Sequence, residues 1–259
     1  VHGDTDEVPQ GGITGGSRSV QLAGAALWNA SEVLVEQAKK IAAELLEASE
    51  ADLSLDTVTG NFHVIGTPSI GVSWEHLADH LGEQNVGPRL LHAEEVFESE
   101  GPTFPFGTHV AVVEVDTETG KVDLERLVAC DDAGVILNPL LAAGQVHGGL
   151  AQGAAQALLE EFRYDQDGNP LTGNLADYAV ISAAELPMFE RVVLETPTHI
   201  NPLGAKGIGE SGTVGATPAI QNAVVDALSH LGIRHLDMPM TPEKVWRSIK
   251  ATEVSLPGS

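Results

Sequence analysis

Between Gly204 and Thr213 the sequence GAKGIGESGT sets a single carboxylate, Glu210, among glycines at 204, 207, 209 and 212. With bulky side chains removed, the backbone can take positive φ and come close to a large ligand. A lone acid in such a cleft has the makings of a general base. A helix is expected a few residues on, with Thr217 as its N-cap and Pro218 in its first position. Apolar residues at 219, 220, 223, 224, 227, 228 and 231 then recur with helical period until Gly232. The helix dipole favours the ionised acid, and burial opposes it. Lys206, four residues before Glu210, either neutralises a phosphate or offsets local acidity.

Two more constellations could bind an anion or a polar ring. Gly16-Ser17-Arg18-Ser19 brings hydroxyls, a guanidinium and free amides to an expected helix N-terminus, which suits an anion and equally an ordinary serine-capped helix. The helix expected from Asn138-Pro139 to about Glu161 carries glycines at 144, 148, 149 and 153, each costing about 1 kcal/mol relative to alanine. Something must approach that backbone closely. Gln145, Gln152 and Gln156 share one face of it, so the approaching group is either a ligand edge met by amides or a second helix. His76 and His80, at i and i+4, read as a surface pair because no third metal ligand lies near, and His147 as a packing residue. Gly207-Ile-Gly-Glu-Ser-Gly212 spells G-x-G-x-x-G, but a dinucleotide-binding turn needs a strand directly before it, and Pro197 and Pro202 interrupt the approach.

The elements that must position these residues fall into two groups. Val20 to about Ala48 reads as one long helix or two, Asp56–Val64 as a hairpin around Gly60, and Ser73–Leu81 as a short helix capped by Ser73. A polar, glutamate-rich crossing over Glu83–Phe104 suggests a boundary near residue 100. Beyond it, His109–Val115 and Lys121–Cys130 read as strands joined by a DTETG turn, Asp165–Asn169 as a hairpin turn, and Arg191–Thr196 as a strand leading into the Glu210 loop. Hairpins mixed with long helices argue for an α+β fold, divided 1–100 and 101–259.

Four blocks, in order, resemble the molybdenum-hydroxylase family of xanthine dehydrogenase and aldehyde oxidase, and most closely the bacterial and archaeal members that are like carbon monoxide dehydrogenase. They are Gly3-Asp-Thr-Asp-Glu-Val-Pro9 with Gly15–Ser19, Asn138-Pro139 with Gly144–Gly153, Gly204–Leu228, and Leu236–Pro239 with Thr241–Trp246. The resemblance implies the C-terminal molybdopterin-binding part of a large subunit, made of two mixed α/β subdomains. It implies Glu210 as the general base of an oxidative hydroxylation of an aldehyde, N-heterocycle or similar substrate. Gly16, Ser17, Arg18, Ser19, Gln145, Lys206, Gly207, Ile208 and Gly209 are then the residues that hold the cofactor, expected to be molybdopterin cytosine dinucleotide with molybdenum. Partners implied are the rest of the large subunit, an iron–sulfur small subunit carrying 2Fe–2S centres and a medium subunit carrying FAD. All these groups should line one cleft, with one open, apolar wall. Against this stand a non-catalytic scaffold of the same fold and a nicotinamide-binding Rossmann domain.

Composition narrows the classes further. Over 259 residues, 13 Lys and Arg face 37 Asp and Glu, a formal charge of −24 that disfavours nucleic-acid binding. The single Cys130 excludes an intrachain disulfide and the cysteine spacings of iron–sulfur sites, and is expected in the core. No apolar run approaches the roughly twenty residues of a membrane span, and a cytoplasmic protein is expected. The chain starts at Val1 without a signal-like segment and reads as a fragment or processed piece.

Overall fold

Period-two alternation in Phe106–Val115 builds the edge on which the Glu210 loop depends: residues 109, 111, 113 and 115 turn inward while 106, 108, 110, 112 and 114 face out. The computed structural model describes Asp4, Asp6, residues 13–83 and residues 91–255. The Gly3–Pro9 block lies mostly outside the described residues. Two units result, Leu22–Glu100 on one hand and Gly101–Ser259 with the chain up to Gln21 on the other. The chain therefore passes between units twice, whereas a single boundary was expected.

In the smaller unit, helix α1 (Ala25–Leu46) follows a π-helical stretch at Val20–Gly24. Strands β1 (Leu53–Asp56), β2 (Asn61–Val64) and β3 (Thr67–Ser73) form an antiparallel sheet, with Gly60 at φ +71° in the first turn. The sequence reading had no strand at β3. Helix α2 (Trp74–Glu83) is capped as expected, the His76 amide donating to Ser73 Oγ at 3.2 Å. Ala38, Ala42, Leu53, Phe62, Val72 and Leu77 make this core.

The larger unit is built on a mixed sheet. Strand β4 (Phe106–Val115) pairs antiparallel with β5 (Val122–Asp132), and β5 pairs parallel with β6 (Glu190–Leu194). Helix α3 (Pro139–Leu158) starts where expected: Asn138 Oδ1 accepts from the Leu140 and Leu141 amides, and Pro139 has no amide to leave unpaired. Helices α4 (Ser211–Ala227) and α5 (Pro242–Ser255) complete it. Leu127, Ala129, Val146, Leu150, Ile220, Val224 and Met240 are in the core. The fold is α+β. Cys130 is half-buried on β5 rather than in the core.

Helix α4 begins seven residues before the expected Pro218 position. Pro218 lies inside the helix, and the Thr217 hydroxyl donates back to the Thr213 carbonyl at 3.0 Å, as a residue within a helix does. Packing explains the extension. A Cβ on Gly212 would stand 2.7 Å from the Val146 carbonyl oxygen, one on Gly149 3.0 Å from Gly212 Cα, and one on Gly153 2.8 Å from Ala216 Cβ. The two helices cross backbone to backbone, and that contact outweighs the local preference of proline for a helix start.

The four glycines of α3 thus divide into two pairs. Gly149 and Gly153 are buried in the crossing, whereas Gly144 and Gly148 have nothing within 4 Å of a built Cβ. Gly149→Ala or Gly153→Ala should destabilise the fold by about 1–3 kcal/mol through overpacking. Gly144→Ala and Gly148→Ala should stabilise it by about 0.5–1 kcal/mol through helix propensity. Urea midpoints of the four variants test this; equal effects in the two pairs would contradict it.

Candidate functional site

Glu210 is the residue just before α4, at the helix's N-cap position, and its carboxylate does not cap the helix. Instead Oε2 accepts the Ser17 hydroxyl at 2.8 Å, across 193 residues of sequence. Ser17 itself is held in the left-handed region at φ +54°, next to Gly16 at φ +63°. For a serine this conformation costs about 1 kcal/mol or more, and surrounding bonds must hold it. The Gln21 side-chain amide donates to the Ser17 carbonyl at 2.9 Å, and the Thr103 hydroxyl donates to Gln21 Oε1. Gly207 leaves room for this turn, since a Cβ there would lie 2.4 Å from the Ser17 carbonyl oxygen.

Around Glu210 and Ser17 opens a cavity of about 340 Å³, near the lower end of ligand-binding volumes. Its wall includes Gly16, Gln21, Phe106, Gly107, His109, Asp131, Gly207, Ser211, Val214 and Gly215. Phe106 and Val214 keep 55% and 69% of their surface open, giving the cavity an apolar, unshielded side. The N-terminus of α4 opens onto it, and the first-turn amides there favour a negatively charged group.

The loop that delivers Glu210 is fixed by a buried ion pair. Lys206 Nζ lies 3.0 Å from Asp132 Oδ1, with 9% and 0% of the two side chains exposed, and 4.8 Å from the centre of the Phe106 ring. Burial raises the Asp132 carboxyl's pKa, but hydrogen bonds from Thr196, the Gly134 amide and Lys206 outweigh it and hold the group below the usual carboxylate range. The Lys206 amide also donates to the Ala133 carbonyl, and the Val135 amide to that of Gly204. Of the two roles open to Lys206, the structure therefore favours the local one, with its charge met by Asp132.

Four of the expected site residues line the cavity: Gly16, Ser17, Gly207 and Glu210. Gly209 sits beside them, its built Cβ 3.3 Å from Ser17 Oγ. Arg18 and Ser19 are exposed outside the lining, and the Ser19 hydroxyl meets Thr14 Oγ1 at 3.4 Å instead of capping a helix. Ile208 packs against the core. Gln145 is on the exposed side of α3 and does not line the cavity either, so only part of the group expected to share one concavity does so. His147 stacks at a tilt near Phe189, and among the described residues no group of three metal-ligating side chains exists. Strand β6 ends at Leu194, twelve residues before Lys206, and no parallel strand runs directly into Gly207, which removes the Rossmann reading.

Sequence reasoning missed one pair in the wall. His109 Nε2 is 3.0 Å from Asp131 Oδ1, with 3% and 6% of the side chains exposed. A histidine at an inward position of an alternating strand, facing two acids that end another, was the available signal.

A family model described as the molybdopterin cofactor-binding domain matches residues 1–187, a span that stops short of Glu210. The large chain of carbon monoxide dehydrogenase from Hydrogenophaga pseudoflava is 39% identical over 98% of this chain and 32% of its own length. Subunit gamma of the 6-hydroxypseudooxynicotine dehydrogenase complex from Paenarthrobacter nicotinovorans is 37% identical over 95% of this chain and 31% of its own. Among solved structures, the Cu,Mo-CO dehydrogenase in its carbon monoxide reduced state superposes with a TM-score of 0.85 at 36% identity, covering 97% of this chain and 32% of that one. This chain spans about a third of the length of these relatives.

Proposed function

We propose that this chain, which belongs to the molybdopterin cofactor-binding domain family, is part of the large subunit of a cytoplasmic molybdenum hydroxylase in which Glu210 is the general base. The observation that carries the reading is the Ser17–Glu210 hydrogen bond. It brings the glycine-serine turn and the glycine loop, two segments that the resemblance assigns to one cofactor, onto one cavity. The residues fit such a group. An uncapped helix N-terminus faces the cavity, Gly16 and Gly207 present bare backbone, and the wall holds a hydroxyl and a carboxylate in contact. About 340 Å³ suits the reactive end of a molybdopterin cytosine dinucleotide rather than the whole molecule.

When bound, the molybdenum–pterin group supplies the two-electron oxidation and the oxygen delivered to carbon. Ser17 holds Glu210 Oε2 and so fixes the turn of the carboxylate, leaving Oε1 as the atom that takes the proton. The Lys206–Asp132 pair fixes the loop that carries Glu210. An aldehyde, an N-heterocycle or a comparable electron-poor carbon is the substrate class. An iron–sulfur small subunit and an FAD-bearing medium subunit would take up the electrons, and the rest of the large subunit would complete the site.

Metal and nucleotide analysis of the purified natural complex tests this. Molybdenum near one atom per large subunit, with cytosine nucleotide released on acid hydrolysis, is expected. A complex lacking both would favour a scaffold module instead.

A further inference from the structure

Helix α4 has two neighbours at its N-terminal end, and they differ in kind. On one side the α3 backbone meets Gly212 directly. On the other stands the imidazole of His109, against Gly215: a Cβ on that glycine would be 2.3 Å from Nδ1, 2.5 Å from Cε1 and 2.6 Å from Cγ. The ring occupies the space a side chain would need. It is itself held from behind. Asp131 accepts from Nε2–H at 3.0 Å, because a carboxylate can only accept, and both side chains are more than nine-tenths buried. Among the described residues, Nδ1 and Asp131 Oδ2 have no hydrogen-bond partner.

That arrangement is poor as plain packing, since two buried polar atoms go unpaired where an apolar residue would leave none. It makes sense as a spacer of fixed length and orientation between β5 and α4. Gly215 lies five residues beyond Glu210, about 7.5 Å along the axis at 1.5 Å per residue. Glu210, Ser211, Val214 and Gly215 all line the cavity, so the face that His109 supports is the one bearing the carboxylate.

We propose that His109, anchored by Asp131, is a positioning residue that sets the seat of the first turns of α4 and thereby the place of Glu210 beside Ser17. Its ring forms part of the cavity wall, and the role assigned to it is to hold α4. The proposal rests on Glu210 as general base for its kinetic consequences, but not for its structural ones.

The test is a cycle in the intact complex between Gly215→Ala, which forces the ring away, and His109→Ala, which empties its place. Gly215→Ala should lower kcat at least tenfold, with KM within threefold and molybdenum content unchanged. It should also speed amide exchange about tenfold in the peptide spanning residues 207–216. His109→Ala/Gly215→Ala should recover at least fivefold of both losses, because the new methyl enters the emptied space. Asp131→Asn, whose amide oxygen still accepts from Nε2, should retain at least fivefold more activity than Asp131→Leu. Should Gly215→Ala fail to accumulate, His109→Asn, which withdraws the ring and keeps a donor, is read by the same criteria. Gly215→Ala within twofold of wild type in kcat and exchange, or a double variant equal to the product of the singles, would overturn the proposal. A complex without molybdenum defeats the enzyme reading alone, since the exchange measurements still decide the role of His109.

Discussion

Glu210→Gln in the intact complex should lower turnover by about 10²–10⁴-fold, the usual contribution of a positioned general base. Glutamine keeps the length and shape of the side chain, and its amide oxygen can still accept the Ser17 hydroxyl found at 2.8 Å. Molybdenum content and thermal unfolding should therefore stay at wild-type values, so the loss falls on the proton transfer. Steady-state kinetics with metal analysis on the same preparation make the measurement. Turnover within a few-fold of wild type at equal molybdenum would remove Glu210 from the mechanism. Ser17→Ala offers a graded companion: it keeps the base and removes its holder, so its effect should be smaller and of the same sign.

Lys206→Met should destabilise the larger unit by about 3 kcal/mol or more, because it leaves the Asp132 carboxylate buried without its cation. The dependence on pH follows from the direction of the Asp132 shift. Its folded-state pKa is lowered, so the stabilisation is fully present above the unfolded carboxyl value of about 4 and is lost as pH falls through the folded value. The gap between wild type and variant in urea unfolding should be constant near neutrality and close only in acid. An unchanged midpoint at pH 7 would mean that the loop is held by its backbone bonds to Ala133 and Val135 alone. Lys206→Arg should fall between the two, since the wider guanidinium must fit a space with 9% exposure over the Phe106 ring.

What was legible in the sequence depended on how local its cause was. Asn138-Pro139, Ser73 and Gly60 act on their immediate neighbours, and the elements they punctuate form where the sequence places them. Pro218 misled because its preference for a helix start lost to a glycine-to-glycine crossing with a helix some sixty residues earlier in the chain. Of the four α3 glycines read as marking close approach, Gly149 and Gly153 do so and Gly144 and Gly148 do not. Which of the four serve a helix and which stay open could not be told from spacing, as that depends on where α4 lies. His109 escaped notice because its partners, Asp131 and Gly215, reach it only through strand pairing and helix packing. The Gly16–Ser19 segment read as an anion site or a serine-capped helix start, yet the Ser17 hydroxyl bonds Glu210, which lies 193 residues later and could not be paired with it from local sequence.

The span of that last bond bears on how the protein is made. Closing a loop of 193 residues costs about 5 kcal/mol in chain entropy, and nothing repays it until both ends exist. On the ribosome, Gly16 and Ser17 emerge long before the segment from Gly207 to Gly215, and the wall strands β4 and β5 come between. The cavity is therefore among the last features to assemble, as expected for contacts of high sequence separation. A ligand that needs both walls can be held only after the segment through Gly215 has been made. A chain stalled before residue 207 would present half of the cavity and retain nothing in it.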